Sequence, residues 1–201
     1  MQIGIYGGSF NPVHFGHVGL VKWVAEHTDL DEVWMMVSPN NPLKDSRELA
    51  DEQVRLAGVR KAIEGIPHVV ASDFEFHLPR PSYTANTLRA LAAAYPQHTF
   101  SLIIGEDNLR ILPRWREWEY IVANYRIFVY PRRGAGSGQV SAGETGVYPI
   151  IAGEYTCALG QSAGERPASP VGNAQIIVLE GAPYFDISST EIRQLAALGN
   201  R

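Results

Sequence analysis

The chain has almost no cysteine, no long apolar run and no excess of positive charge, and each shortage excludes a class of protein. Its single cysteine, Cys157, cannot form an internal disulfide and leaves nothing for a cysteine-rich metal site, so it reads as a packing residue. No stretch reaches the roughly 18 consecutive apolar residues of a membrane span. Met1 leads directly into a strand-like run, without a basic leader or an apolar signal core. The expectation is a cytoplasmic chain that engages no membrane. A formal charge of -4 and a pI near 5.9 lack the basic footprint of a protein that binds a nucleic-acid polymer. Small phosphorylated ligands remain compatible, because a helix terminus and a few local cations suffice for them.

What is present is an ordinary globular composition, 45% hydrophobic and 19% charged over 201 residues. That length is enough for one well-packed domain spanning 1–201. Apolar runs at Ile3 to Tyr6, Glu32 to Val37, His68 to Ser72, Thr99 to Ile104, Arg126 to Tyr130 and Gln175 to Leu179 read as strands. Between them lie segments with helical spacing: Val18 to His27, about Ala50 to Glu64 with Gly65 as its stop, and a helix opened by Ser82 to Thr87. A further helix carrying Trp115 and Trp118 is expected to run to Asn124, and another to start near Ser188. Strand and helix alternate at about 30 residues per unit, which predicts an α/β fold: a single doubly wound, mostly parallel sheet with helices on both faces. Nine of the 19 glycines crowd into 133–173, read as a long irregular connection in which Val147 to Ile151 could add a short strand.

In such sheets ligands sit beyond the carboxyl ends of the strands, near the point where strand order reverses. Three segments fall there. The turn Gly7 Gly8 Ser9 Phe10 Asn11 Pro12 Val13 His14 Phe15 Gly16 His17 joins a strand to a helix, so backbone N–H groups at the helix start can meet an anion. The loop Ser38 to Asp45 holds Lys44 on a segment stiffened by Pro39 and Pro42. The turn Gly105 Glu106 Asp107 follows the fourth strand. A second helix N-terminus is predicted at Ile187 Ser188 Ser189 Thr190 Glu191 Ile192 Arg193, where Ser188 and Glu191 have the spacing of a capping box.

The first of these motifs resembles the nucleotide-binding signature of the nucleotidylyltransferase superfamily, with His14 and His17 as its histidine pair. Ile187 to Arg193 is similar to the superfamily's second signature, at the phosphate end of the nucleotide. Pro39 to Lys44, Arg80 to Leu88, and Ile104 to Leu109 with Trp115 beyond narrow the resemblance to the bacterial nicotinate-nucleotide adenylyltransferases. It covers Met1 to Tyr130 and Ile176 to Arg193, and 133–173 has no counterpart in it.

The resemblance implies attack by the 5′-phosphate of nicotinate mononucleotide on the α-phosphorus of ATP, giving deamido-NAD and pyrophosphate in NAD biosynthesis. The nucleophile is already an anion, so alignment and charge stabilisation are the protein's task. His14 and His17 would donate to the α-phosphate, and Gly8, Ser9 and Phe10 would form the cradle around it. Ser188, Ser189, Thr190 and Arg193 would hold the β- and γ-phosphates. Lys44 would bridge the two phosphate groups, and Ser9 would also meet the acceptor phosphate. Gly105 and Asp107 would hold the ATP ribose. Trp115 would stack on the pyridine, with Tyr83, Thr84 and Ala85 shaping the pocket for its carboxylate; Trp118 reads as core.

Magnesium is expected on the ATP phosphates, held mainly by ligand and water, with no protein metal cage. A homo-oligomer is left open. The side chains do not separate nicotinate from nicotinamide mononucleotide as acceptor. The Ser82 to Leu88 segment and Trp115 speak against a phosphopantetheine adenylyltransferase or a cytidylyltransferase. A nucleotide-sensing module without turnover, from a different class, would have no need of both His14 and His17.

Overall fold

Among the described residues six parallel strands form one sheet: β1 (Gln2–Gly8), β2 (Glu32–Val37), β3 (Val69–Ser72), β4 (Thr99–Gly105), β5 (Arg126–Tyr130) and β6 (Ile176–Val178). Their order is β3-β2-β1-β4-β5-β6, so the chain reverses direction across the sheet between β1 and β4. This computed structural model describes residues 1–39, 49–131, 175–179, 181–183 and 189–198, the side chains of 194–198 excepted. Lys44, Cys157, Ser188, the 133–173 stretch and the strand considered at 147–151 lie outside the described residues.

The continuous apolar character of the strands follows from burial on both sides. Ile3 and Ile5 of β1, Met36 of β2, Phe100, Leu102 and Ile104 of β4, and Ile127 and Val129 of β5 pack into one core. Val33, Met35 and Val37 of β2, Ile103 of β4 and Phe128 of β5 point the other way into a second core. Helices α1 (Phe15–His27) and α2 (Glu52–Ala62) close the second core with Leu20, Val21, Val24, Leu56 and Val59. On the first face, α3 (Thr84–Ala94), the short α4 (Glu106–Ile111) and α5 (Trp118–Asn124) contribute Leu88, Leu91, Leu109, Ile121 and Val122. The expected doubly wound arrangement is therefore present. The last described helix is α6 (Ser189–Leu198).

The expected boundaries shift in three places. β1 extends to Gly8 because Gly7 and Gly8 stay in register with Met36 and Val37. α2 starts at Glu52, where the Asp51 carboxylate accepts from the N–H groups of Gln53 and Val54 at 2.8 and 3.4 Å. The single helix expected through Trp115 and Trp118 is corrected to three pieces: α4, a 3-10 turn Leu112–Arg114, and α5. Pro113 opens the 3-10 turn, and Glu117 takes a left-handed conformation at φ 55°. Trp115 lies on the extended residue between these breaks, whereas Trp118 starts α5 and packs against the core as expected.

Candidate active site

A cavity of about 870 Å³ opens above the C-terminal ends of β1 and β4, where the strand order reverses. Its wall includes Gly8, Ser9, Phe10, His14 and His17 from the first motif and Ser189, Thr190 and Arg193 from the last. Gly105, Asp107, Tyr83, Thr84 and Trp115 also line it. The sheet topology thus gathers into one place residues that the sequence scatters across nearly the whole chain.

The turn after β1 is built around Phe10. Its ring is buried, edge-on to Tyr6 at 5.7 Å and to His17 at 5.1 Å, and lies 3.0 Å from where a Cβ on Gly8 would sit. Phe10 adopts φ 43°, a conformation that costs a non-glycine residue about 1–3 kcal/mol. Burial of the ring offsets that cost and fixes the turn. His14 then caps α1: its carbonyl accepts from the N–H of His17 at 2.9 Å, and its own N–H donates to Nδ1 of His17 at 3.2 Å. The two imidazoles stack, with centroids 3.7 Å apart and planes at 28°.

The two signature motifs are joined directly. Ser189 Oγ donates to the Pro12 carbonyl at 2.9 Å, and Arg193 Nη1 donates to the Asn11 carbonyl at 2.6 Å. Arg193 Nη2 also donates to Thr190 Oγ1 at 3.3 Å. The bonds to Pro12 and Asn11 span 177 and 182 residues of sequence and draw the N-terminus of α6 onto the turn. Arg193 thereby ties α6 to the cradle while also lining the cavity.

At the end of β4, Gly105 is the N-cap of α4 and Asp107 sits in its first turn. A Cβ at position 105 would collide with Asp107 Oδ1 and lie 3.0 Å from the Tyr130 ring, so the backbone here must be bare. The Tyr130 hydroxyl approaches that of Tyr6 at 3.5 Å, closing the floor between β1 and β5.

Elsewhere on the wall, Trp115 packs against the core, and its Nε1 is buried without a hydrogen-bond partner among the described residues. Ser82 Oγ is in the same condition, and both residues line the cavity. Ala85 differs from its expected place: its side chain is fully buried in the core beneath α3 and does not line the cavity. Arg116 stands over the Tyr83 ring at 5.0 Å from its centre, and Arg114 lines the wall as well. Glu75, almost wholly buried, accepts from Thr87 Oγ1 at 2.8 Å. Burial pushes the Glu75 carboxyl up from the ordinary carboxylate range, against the opposing hydrogen bonds of Thr87 and Ser38.

Sequence reasoning passed over Glu75, Arg114, Arg116 and the buried Arg55. Arg114 and Arg116 flank Trp115, so their adjacency was a usable signal. Arg55 gave none, because a lone arginine in a helical pattern ordinarily faces solvent.

The cytidylyltransferase-like family pattern matches residues 5–195. A Bacteroides fragilis (strain YCH46) protein named "Probable nicotinate-nucleotide adenylyltransferase" is 53% identical over 201 residues, spanning 98% of this chain and 83% of its own. The chain belongs to the nicotinate-nucleotide adenylyltransferases of the cytidylyltransferase-like family. A Bacteroides thetaiotaomicron adenylyltransferase of the same name is 41% identical over 194 residues, covering 96% of this family member and 81% of that protein. Among solved structures, Plasmodium falciparum nicotinic acid mononucleotide adenylyltransferase complexed with NaAD superposes with a TM-score of 0.69. That match covers 96% of this chain and 82% of the other at 18% identity, so it speaks for the adenylyltransferase fold.

Proposed function

We propose that the chain transfers the adenylyl group of Mg-ATP to nicotinate mononucleotide, producing deamido-NAD and pyrophosphate in NAD biosynthesis. The observation that carries this is the junction of the two phosphate motifs beside the histidine pair, through Ser189 to Pro12 and Arg193 to Asn11. A 5′-phosphate oxygen of the acceptor forms a bond to the α-phosphorus. The bond from that phosphorus to the oxygen bridging toward the β-phosphorus breaks, and pyrophosphate leaves with the electron pair. No proton transfer is needed at the nucleophile, so fixed donors carry the catalysis.

His14 and His17 are assigned to the α-phosphate, and Ser189, Thr190 and Arg193 to the departing pyrophosphate. Ser188 is assigned with them, and Lys44 to the bridge between the two phosphate groups, both on the motif resemblance. Gly8, Ser9 and Phe10 form the cradle, and Gly105 and Asp107 take the ribose. Trp115, Tyr83 and Thr84 take the pyridine, with Ala85 packed in the core behind them. Magnesium enters with ATP as part of the substrate, the phosphates being its hard-oxygen ligands.

Acid is preferred over amide because Arg114 and Arg116 add positive charge beside Tyr83 and Trp115. Residues 1–201 are read as one domain of a cytoplasmic enzyme, consistent with the absence of any helix long and apolar enough to cross a membrane among the described residues. Incubation with Mg-ATP and nicotinate mononucleotide, followed by mass spectrometry, tests the reading. Deamido-NAD is the expected product, and recovery of both substrates unchanged would overturn it.

A further inference from the structure

We propose that Arg55 is a positioning residue for the phosphate cradle, setting the Ser9 turn against the end of β2 through main-chain carbonyls. Arg55 lies on α2 and is 4% exposed. Nη1 donates to the carbonyls of Ser9 at 2.6 Å and Ser38 at 2.8 Å, Nη2 to that of Pro39 at 3.1 Å, and Nε to that of Ala50 at 2.9 Å. Among the described residues no carboxylate hydrogen-bonds to it. The neighbouring Asp51 carboxylate is engaged in capping α2, and Glu52 binds Arg80 at 2.7 and 2.9 Å.

A buried guanidinium whose hydrogen bonds among the described residues all go to neutral carbonyls, with Glu52 and Asp51 acting on it only through their charge, is a costly way to fill space. What it supplies is orientation. In a trans peptide the N–H points opposite to the C=O, so holding the Ser9 carbonyl toward α2 turns the Phe10 N–H away from α2. Arg193 and Ser189 occupy the Asn11 and Pro12 carbonyls, although the Asn11–Pro12 peptide has no N–H to turn. Three carbonyl dipoles of the turn are thereby occupied by donors, which removes repulsion toward a phosphate in the cradle. Ser38 and Pro39, which leave β2 beside the cradle, are held by the same guanidinium, so both walls move as one body. Arg55 touches no reacting atom and acts through the peptides it holds.

This role rests on the adenylyl-transfer reading and is tested with Arg55→Met and Arg55→Lys in the full chain. The parent enzyme is first assayed with Mg-ATP and nicotinate mononucleotide. Arg55→Met is expected to lower kcat about 100-fold, the loss that a misplacement of about 1 Å brings, with Mg-ATP affinity changed less than about 3-fold. Arg55→Lys keeps the charge but cannot span the four carbonyls, so a kcat loss of about 10-fold is expected in a protein that still folds, with a lowered melting temperature. Full kcat in the folded Met variant, or parental kcat in the Lys variant if the Met variant does not fold, would overturn the assignment.

Should the parent itself show no turnover, the function reading fails. Amide exchange then decides the role of Arg55: faster exchange at residues 8–13 in the Lys variant supports it, and unchanged exchange overturns it.

Discussion

The backbone N–H of His14 donates to Nδ1 of His17 at 3.2 Å, so a single hydrogen bond decides which face of that imidazole remains a donor. An N–H can only donate, which makes Nδ1 the acceptor and leaves the ring proton on Nε2. Neutral His17 therefore carries its N–H on Nε2, the donor that the proposed function assigns to an α-phosphate oxygen. His17→Ala is expected to lower kcat about 100-fold or more, the size of an oxyanion-donor deletion, while ATP affinity changes little. Steady-state kinetics with a direct ATP-binding measurement checks this.

Gly105→Ala tests the ribose assignment. The new methyl would have to displace the Asp107 carboxylate or the Tyr130 ring, both packed against that backbone. KM for ATP is expected to rise about 10-fold or more, as a buried polar contact is lost, with KM for the acceptor little changed. Initial rates with each substrate varied in turn check it. An equal rise in both constants would point to a general disturbance of β4.

Arg116, one of the two cations to which the acid preference is assigned, has a side chain 60% exposed and lies 3.9 Å from the Glu117 carboxylate. A solvent-screened charge contributes modestly, so Arg116→Gln is expected to lower kcat/KM for nicotinate mononucleotide about 2- to 5-fold. The value for nicotinamide mononucleotide should be unaffected. Parallel progress curves with the two acceptors give the ratio, and a higher salt concentration should shrink it in the parent.

Glu75 gives a stability signature. Its carboxyl is raised above the unfolded value of 4.5, chiefly by burial, so between the two pKa values the folded state binds the extra proton. Stability then falls as pH rises from the unfolded value through the raised folded value. Gln at this position keeps an oxygen to accept from Thr87 and has no such loss. The melting temperature of Glu75→Gln relative to the parent should climb as the pH is raised above 4.5. Thermal melts across that range check it; a flat difference would contradict it.

The parts of this molecule that were readable in advance are those carried by pattern. Apolar runs in β1, β2, β4 and β5 had to be buried on both faces, and that alone implies helices on both sides of a parallel sheet. His14 and His17 announced themselves because two imidazoles at a glycine-rich strand-to-helix turn have few bland uses. The path near Trp115 was not readable, since Pro113 begins a short turn and Glu117 enters a left-handed conformation that nothing in the residue type demands. Arg55 was invisible for a different reason. Its partners are the carbonyls of Ser9, Ser38, Pro39 and Ala50, and a backbone oxygen is the same at every residue. Likewise, the bond from Arg193 to Asn11 depends on a juxtaposition that only the assembled sheet creates.

The central claim is tested most directly by pyrophosphate release from Mg-ATP with nicotinate mononucleotide, nicotinamide mononucleotide and phosphopantetheine offered separately. Release is expected to be fastest with nicotinate mononucleotide, slower with the amide, and absent with phosphopantetheine. Measurable ATP binding with no release in any of the three would contradict adenylyl transfer and leave a nucleotide-binding module in its place.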